Sequence, residues 1–170
     1  MTDSLEIALA LLRRDDIEGL RLAPYLCPAG YWTIGIGNRF LADGSPVTAR
    51  TKSFTEAEAI ALVQQTLSEL RVKLRVSVTV PLTPWQEGAL LSWQFNVGSN
   101  AMRRSTLVSV LNRKFYAAAG QQLLVWDKIT VRDRLSGLDK KIVSTGLQRR
   151  RRLELVIYSG RPVAGVPFTV

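Results

Sequence analysis

Two capping boxes constrain this chain's fold more than any other feature. Thr55-Glu-Ala-Glu58 and Thr83-Pro-Trp-Gln86 each place a hydroxyl before a helix and a Glu or Gln three residues on. The second adds Pro at the first helical position. The first box starts a helix that should run to about Arg75, long enough to bridge two lobes. The second starts a helix with Ala89, Leu90, Trp93 and Val97 on one stripe, which reads as core, and Gly98 ends it. The rest of the chain also reads as mainly helical. Leu5, Ala8, Leu9, Leu11 and Leu12 recur at helical spacing behind Asp3 or Ser4 as cap. Ser105 starts a helix through Leu111, Phe115 to Trp126 reads as another, and Leu147 to Tyr158 as the last. Val76-Ser-Val-Thr-Val80 alternates, but Pro81 and Pro84 follow and no partner strand is evident, so an extended connection is expected. Residues 127–145 are polar, mixed in charge and weakly periodic: a long loop, or an insertion over a cleft. The tail from Gly160, with Pro162, Gly165 and Pro167, should be irregular.

The segment that reads as β-structure follows Glu18. Gly19 comes directly after it, and a Gly just past a helix commonly takes the left-handed conformation. Glu18 is therefore expected at a helix C-terminus. The negative end of the helix dipole and partial burial would both keep its carboxyl protonated, which a general acid needs. A solvated helix-end Glu is the plainer alternative. Cys27-Pro28-Ala29-Gly30 suits a type I turn. In the strand that follows, Thr33, Gly35 and Gly37 fall on one face and Ile34, Ile36 and Asn38 on the other. The isoleucines can bury. The bare face would let a ligand approach the backbone and put Thr33's hydroxyl at the edge of an open floor. A small hairpin whose glycines only ease twisting is the alternative.

Composition removes several classes. A chain of 170 residues can bury one sizeable core, or two lobes sharing a long helix. With no His and one Cys, there is no His-based triad, no zinc site and no internal disulfide. No run of 18 apolar residues marks a transmembrane helix. The N-terminal apolar patch is short, follows Asp3, is broken by Glu6 and lacks a basic start, so it is not expected to be a signal peptide. No P-loop, dinucleotide fingerprint or repeat is evident. Charge is lopsided: residues 1–60 carry net −2 and residues 61–170 net +11. A basic second half suggests an anionic partner. A carboxylate-bearing polymer, anionic lipids or nucleic acid would each answer, though no recognised nucleic-acid motif accompanies the charge. Arg149-Arg-Arg-Arg152 is the sharpest cluster, fanned over several faces of the last helix.

Eight residues separate Glu18 from Cys27, and five separate Cys27 from Thr33, within Ile17-Glu-Gly-Leu-Arg-Leu-Ala-Pro-Tyr-Leu-Cys-Pro-Ala-Gly-Tyr-Trp-Thr-Ile-Gly-Ile-Gly37. This resembles the active-site signature of the phage T4-type lysozymes, in which the order is Glu, then Asp or less often Cys, then Thr. Gln86-Glu-Gly-Ala-Leu-Leu-Ser-Trp-Gln-Phe-Asn-Val-Gly98, Ser105-Thr-Leu-Val-Ser-Val-Leu111 and Gly146-Leu-Gln-Arg-Arg150 resemble later segments of the same family. The likeness spans roughly residues 5 to 158, with 127–145 fitting worst. It implies an α+β, mainly helical fold of one lysozyme-like domain. A small β-hairpin lobe would take about residues 1–60, with the linking helix from about 55. A larger helical lobe would take about 76–158 and an irregular tail 159–170.

The resemblance implies a muramidase that hydrolyses the β-1,4 bond between N-acetylmuramic acid and N-acetylglucosamine. Glu18 would be the acid, Thr33 would position water and Cys27 would assist. Asp at Cys27's position would be ionised at neutral pH, whereas an unperturbed thiol, with a pKa of about 8.5, is mostly neutral. Thiolate base, thiolate nucleophile and neutral polar spacer all stay open, as does an inert buried Cys. By position, Arg39, Phe95, Thr106 and Gln121 would line the sugar groove. Arg149 would pack beside Glu18, leaving Arg150 and Arg151 on a solvated face. Asn38 stands where the family often has His. No cofactor or metal is implied. The expected partners are peptidoglycan and anionic envelope surfaces, with no specific nucleic acid, no membrane span and a monomeric chain. The likeness suggests a phage endolysin, made in the host cytoplasm and released to the wall by a separate membrane-permeabilising protein. A lytic transglycosylase, which needs one acid and no activated water, and a wall-binding module without turnover are the rival readings.

Overall fold

The computed structural model describes residues 3–132 and 137–168. Asp3 caps α1 (Ser4–Leu12) in a full capping box with Glu6. Turns lead from there to β1 (Arg21–Leu26), which pairs antiparallel with β2 (Trp32–Gly35). The register slips between Arg21 and Tyr25, where Pro24 has no N–H for the ladder. Thr55 caps α2 (Glu56–Ser77) and Thr83 caps α3 (Pro84–Val97), and both boxes close as the sequence requires. Three short helices follow: α4 (Ser99–Arg103), α5 (Thr106–Asn112) and α6 (Tyr116–Gln121), the last running into a 3-10 turn, Gln122–Val125. β3 (Lys128–Arg132) and β4 (Asp139–Val143) form a second antiparallel hairpin, and Ser144 caps α7 (Thr145–Tyr158).

The order is that of an α+β, mainly helical fold. Its centre is α3, which lies between α1 and α7. The apolar stripe suggested one buried side, yet Glu87 through Gln94 are all buried, because helices cover opposite flanks. Gly88 permits the approach of α1: a Cβ there would stand 2.6 Å from Ile7 Cγ2 and 3.0 Å from the Ser4 carbonyl oxygen. Polar groups on so buried a helix need partners. Glu87 accepts from Ser4 Oγ at 2.5 Å and from Arg75 Nε at 2.6 Å. Ser92 Oγ donates to Glu154 at 2.8 Å.

Two apolar clusters share α2. Leu62 packs with Ile34 and Val47 under the first hairpin, whereas Leu67 and Leu74 join the main core with Ile7, Leu11, Ile36, Leu90, Trp93 and Ile157. Each such fully buried side chain stabilises by about 1.5–3 kcal/mol relative to exposure. The one helix thus holds the hairpin against the helical body. Residues 78–82 form neither helix nor strand: Val78 is extended and the chain bends at Val80. Residues 127–145 are not a plain loop: apart from residues 133–136, which lie outside the described residues, they hold the β3–β4 hairpin. The tail beyond Gly160 is irregular through Phe168, whose ring lies 4.6 Å from that of Trp85; residues 169–170 lie outside the described residues. Among the described residues, no helix is long and apolar enough to cross a membrane.

Candidate active site

Glu18 stands in a turn beyond the end of α1, not at the helix C-terminus that its sequence suggested. Gly19 does take the left-handed conformation, φ +70°, and its N–H donates to the carbonyls of Leu12 and Arg14. The neighbour of the carboxylate is therefore a side-chain cation rather than helix carbonyls. Arg150 Nη1 donates to Glu18 Oε1 at 2.5 Å. Gly37 backs the other oxygen: a Cβ there would stand 2.7 Å from Glu18 Oε2. The glycine face of the hairpin is thus no open floor for a ligand. Gly35 meets Ala59 of α2, whose Cβ would lie 3.3 Å from an added Cβ, and Gly37 meets the acid itself. The Glu18 side chain remains 21% exposed, enough to be reached from outside.

The cation was expected to be Arg149, with Arg150 and Arg151 solvated. The structure reverses this. Arg149 is exposed, while Arg150 and Arg151 are buried. The face of α7 that meets α3 decides which arginine turns inward. Arg150 Nη2 donates to the Ser92 carbonyl at 2.9 Å and its Nε to Glu154 Oε1 at 3.0 Å. Arg151 Nη2 donates to Asn96 Oδ1 at 2.9 Å. Burial alone would loosen the Arg150 proton, but Glu154 and Glu18 outweigh it and hold the guanidinium above its ordinary range.

Cys27 begins the expected turn. Gly30 N–H donates to its carbonyl at 2.8 Å, and Cys27 N–H donates to the Tyr31 carbonyl at 2.9 Å. Burial pushes the thiol up, but the backbone N–H groups of Tyr31 and Ala29, the Thr33 hydroxyl and the Arg39 charge together bring it below its usual value. Thr33 is only 3% exposed, and its hydroxyl donates to the Tyr31 carbonyl at 3.0 Å. A hydroxyl has one proton and two lone pairs. Donation to the carbonyl and donation to a Cys27 thiolate are therefore alternatives. Arg39 caps the group from outside, its guanidinium 3.5 Å from the Tyr31 ring centroid.

Glu18 and Cys27 face one hollow of about 610 Å³, whose floor includes Arg150 and Asn96. Its walls are the Pro28–Ala29 turn and Ile129, Thr130 and Val131 of β3. A second hollow of about 490 Å³ takes in Arg39 and Phe95, and shares Asn96 with the first. Of the four residues expected along a sugar groove, these two line the second hollow and not the one with Glu18. Thr106 is exposed at the start of α5 and lines neither hollow. Gln121 lines a separate depression with Trp85 and Tyr158. Asn38 is buried and donates to Thr66 Oγ1 at 2.9 Å, which ties the hairpin to α2. Asn96 and Glu154 were not singled out in the sequence. Asn96 directly follows Phe95, and Glu154 stands four and three residues after Arg150 and Arg151, a spacing that puts all three on neighbouring positions of one helix.

Comparison with known proteins is consistent across the chain. A family profile described as phage lysozyme matches residues 15–154. An endolysin of Acyrthosiphon pisum secondary endosymbiont phage 1 is 32% identical over 153 residues, covering 90% of this chain and 95% of that protein. The endolysin of Salmonella phage P22 is 36% identical over 135 residues, 79% of this chain and 85% of that protein. Among solved structures, an endolysin from Escherichia coli O157:H7 phage FAHEc1 superposes with a TM-score of 0.78 at 30% identity, covering 95% of this chain and 96% of that one.

Proposed function

Because this chain belongs to the phage lysozyme family, we propose that Glu18 is the general acid of its glycosidase reaction and that Cys27 activates the attacking water. The chain is a lysozyme-type glycoside hydrolase, and its substrate is peptidoglycan. The bond cut is the β-1,4 link from N-acetylmuramic acid to N-acetylglucosamine. One observation carries this reading: the Glu18 carboxyl, gripped by Arg150 and backed by Gly37, faces the same hollow as the Cys27 thiol. A sugar in that hollow would meet a proton donor and a polarised sulfur, the two partners a hydrolytic displacement uses. Thr33 acts behind the sulfur. Its buried hydroxyl helps bring the thiol below its usual value, so its effect on water passes through Cys27. Arg39 and Phe95 line the neighbouring hollow and would extend the glycan path. In the cell, the enzyme would be made in the host cytoplasm and reach the wall once a separate protein opens the membrane.

Mass analysis of products from purified peptidoglycan tests the reading. Hydrolysis leaves reducing ends. Anhydro ends would mean transglycosylation, and intact wall would mean binding without turnover.

A further inference from the structure

The Arg150 contact poses an electrostatic problem for an acid. Two guanidiniums, those of Arg150 and Arg151, lie buried behind Glu18, at 4% and 0% exposure. Such a pair favours the charged form of a nearby carboxyl, whereas a general acid must hold its proton until the bond breaks. Glu154 stands on the far side of both. It is fully buried, with Oε1 3.0 Å from Arg150 Nε and Oε2 3.2 Å from Arg151 Nε. Ser92 Oγ of α3 donates to it at 2.8 Å.

We propose that Glu154 is a positioning residue for catalysis: its buried carboxylate holds Arg150 in place on Glu18 and balances the two arginine charges buried behind the acid. This rests on the reading of Glu18 as the acid.

The geometry gives the two arginines different duties. Arg150 touches Glu18, Glu154 and the Ser92 carbonyl, so its fork is fixed on three sides. Arg151 touches Asn96 and stands beside Glu154, but its Nε and Nη1 lack hydrogen-bond partners. Burial pushes Arg151 down to about 10 although Glu154 pulls the other way. Its charge is therefore costly where it lies, and Glu154 is what balances it. The charged and titratable groups around Glu18 are Arg150 and Arg151 from α7, Tyr25 from β1, and Asp16 and Cys27, which line the same hollow. Those that face Glu154 are Arg150 and Arg151 of its own helix, and α3 presents the neutral Ser92.

Carbon-detected NMR titration of the Glu18 side-chain carboxyl, assigned with Glu18→Gln, reads the effect directly, alongside turnover across pH. Glu154→Gln should move the Glu18 midpoint to lower pH by about one unit, the small end of the usual effect of a nearby charge, and cut turnover above that midpoint roughly tenfold. Glu154→Asp, which keeps the charge, should restore most of both. Arg151→Gln should move the midpoint the opposite way, and it carries the test if Glu154→Gln does not fold. Unmoved midpoints, or both variants shifting in the same direction, would overturn the proposal. Normal turnover by Glu18→Gln would instead remove the reading of Glu18 as the acid, so the two failures are distinct.

Discussion

Cys27 shows how little a side chain's identity says without its surroundings. The thiol stands where the family resemblance implies a carboxylate, yet it receives backbone N–H groups at the tip of a tight turn and the Thr33 hydroxyl from behind, which bring its proton within easier reach. Cys27 is the only cysteine of the chain, so alkylation by iodoacetamide reports it alone. Its alkylation should rise with pH through a midpoint below the ordinary thiol value, and Thr33→Val should move that midpoint up. Cys27→Asp should keep hydrolysis. Cys27→Ser, far less acidic, should lose most of it, and a glycosyl adduct trapped on Cys27 would replace the water-activation account with a covalent one. The arginine beside Glu18 was less legible. Residues 149–152 offer four arginines in a row, and the sequence alone does not rank them. The choice is made by the rotation of α7 against α3, through the Ser92 carbonyl, a backbone group that no side-chain pattern reports.

At the scale of elements, the long helices and the first hairpin were readable because each announces itself locally. Capping boxes at Thr55 and Thr83, and the turn at Cys27–Gly30, form as their chemistry dictates. The β3–β4 hairpin was not readable as strands. Lys128-Ile-Thr-Val-Arg132 does alternate, but among the described residues the two-stranded sheet has no buried face to impose a pattern on β4, where Asp139-Lys-Lys-Ile-Val143 is exposed throughout. Its place nevertheless bears on the proposed site. Ile129 and Val131 are partly exposed and stand over the hollow that holds Glu18, opposite Pro28 and Ala29. They would give the glycan an apolar wall. Replacing both with Ala removes several buried methyl or methylene contacts, each worth about 0.8 kcal/mol. The KM for solubilised glycan strands should rise roughly tenfold with kcat within about twofold, the signature of uniform binding. A fall in kcat alone would assign the hairpin to the chemical step instead.

For the whole molecule, charge and catalysis divide between the two halves. The proposed acid Glu18 and its proposed partner Cys27 come from residues 1–60, net −2, while Arg150, which donates to Glu18, comes from residues 61–170, net +11. The basic half would steer the enzyme toward an anionic wall. Lysis of whole walls should therefore slow as salt shortens the Debye length to about 8 Å and below, whereas cleavage of short neutral oligosaccharides should change little. Equal salt responses would remove steering from the account. The central claim is that the Glu18 carboxyl, held between Gly37 and Arg150, is the general acid that breaks the glycosidic bond. Glu18→Gln keeps the shape and takes away the proton. Measured on purified peptidoglycan with a folded variant, the rate should fall by at least about two orders of magnitude, the scale of general-acid catalysis; turnover near that of the wild type would contradict it.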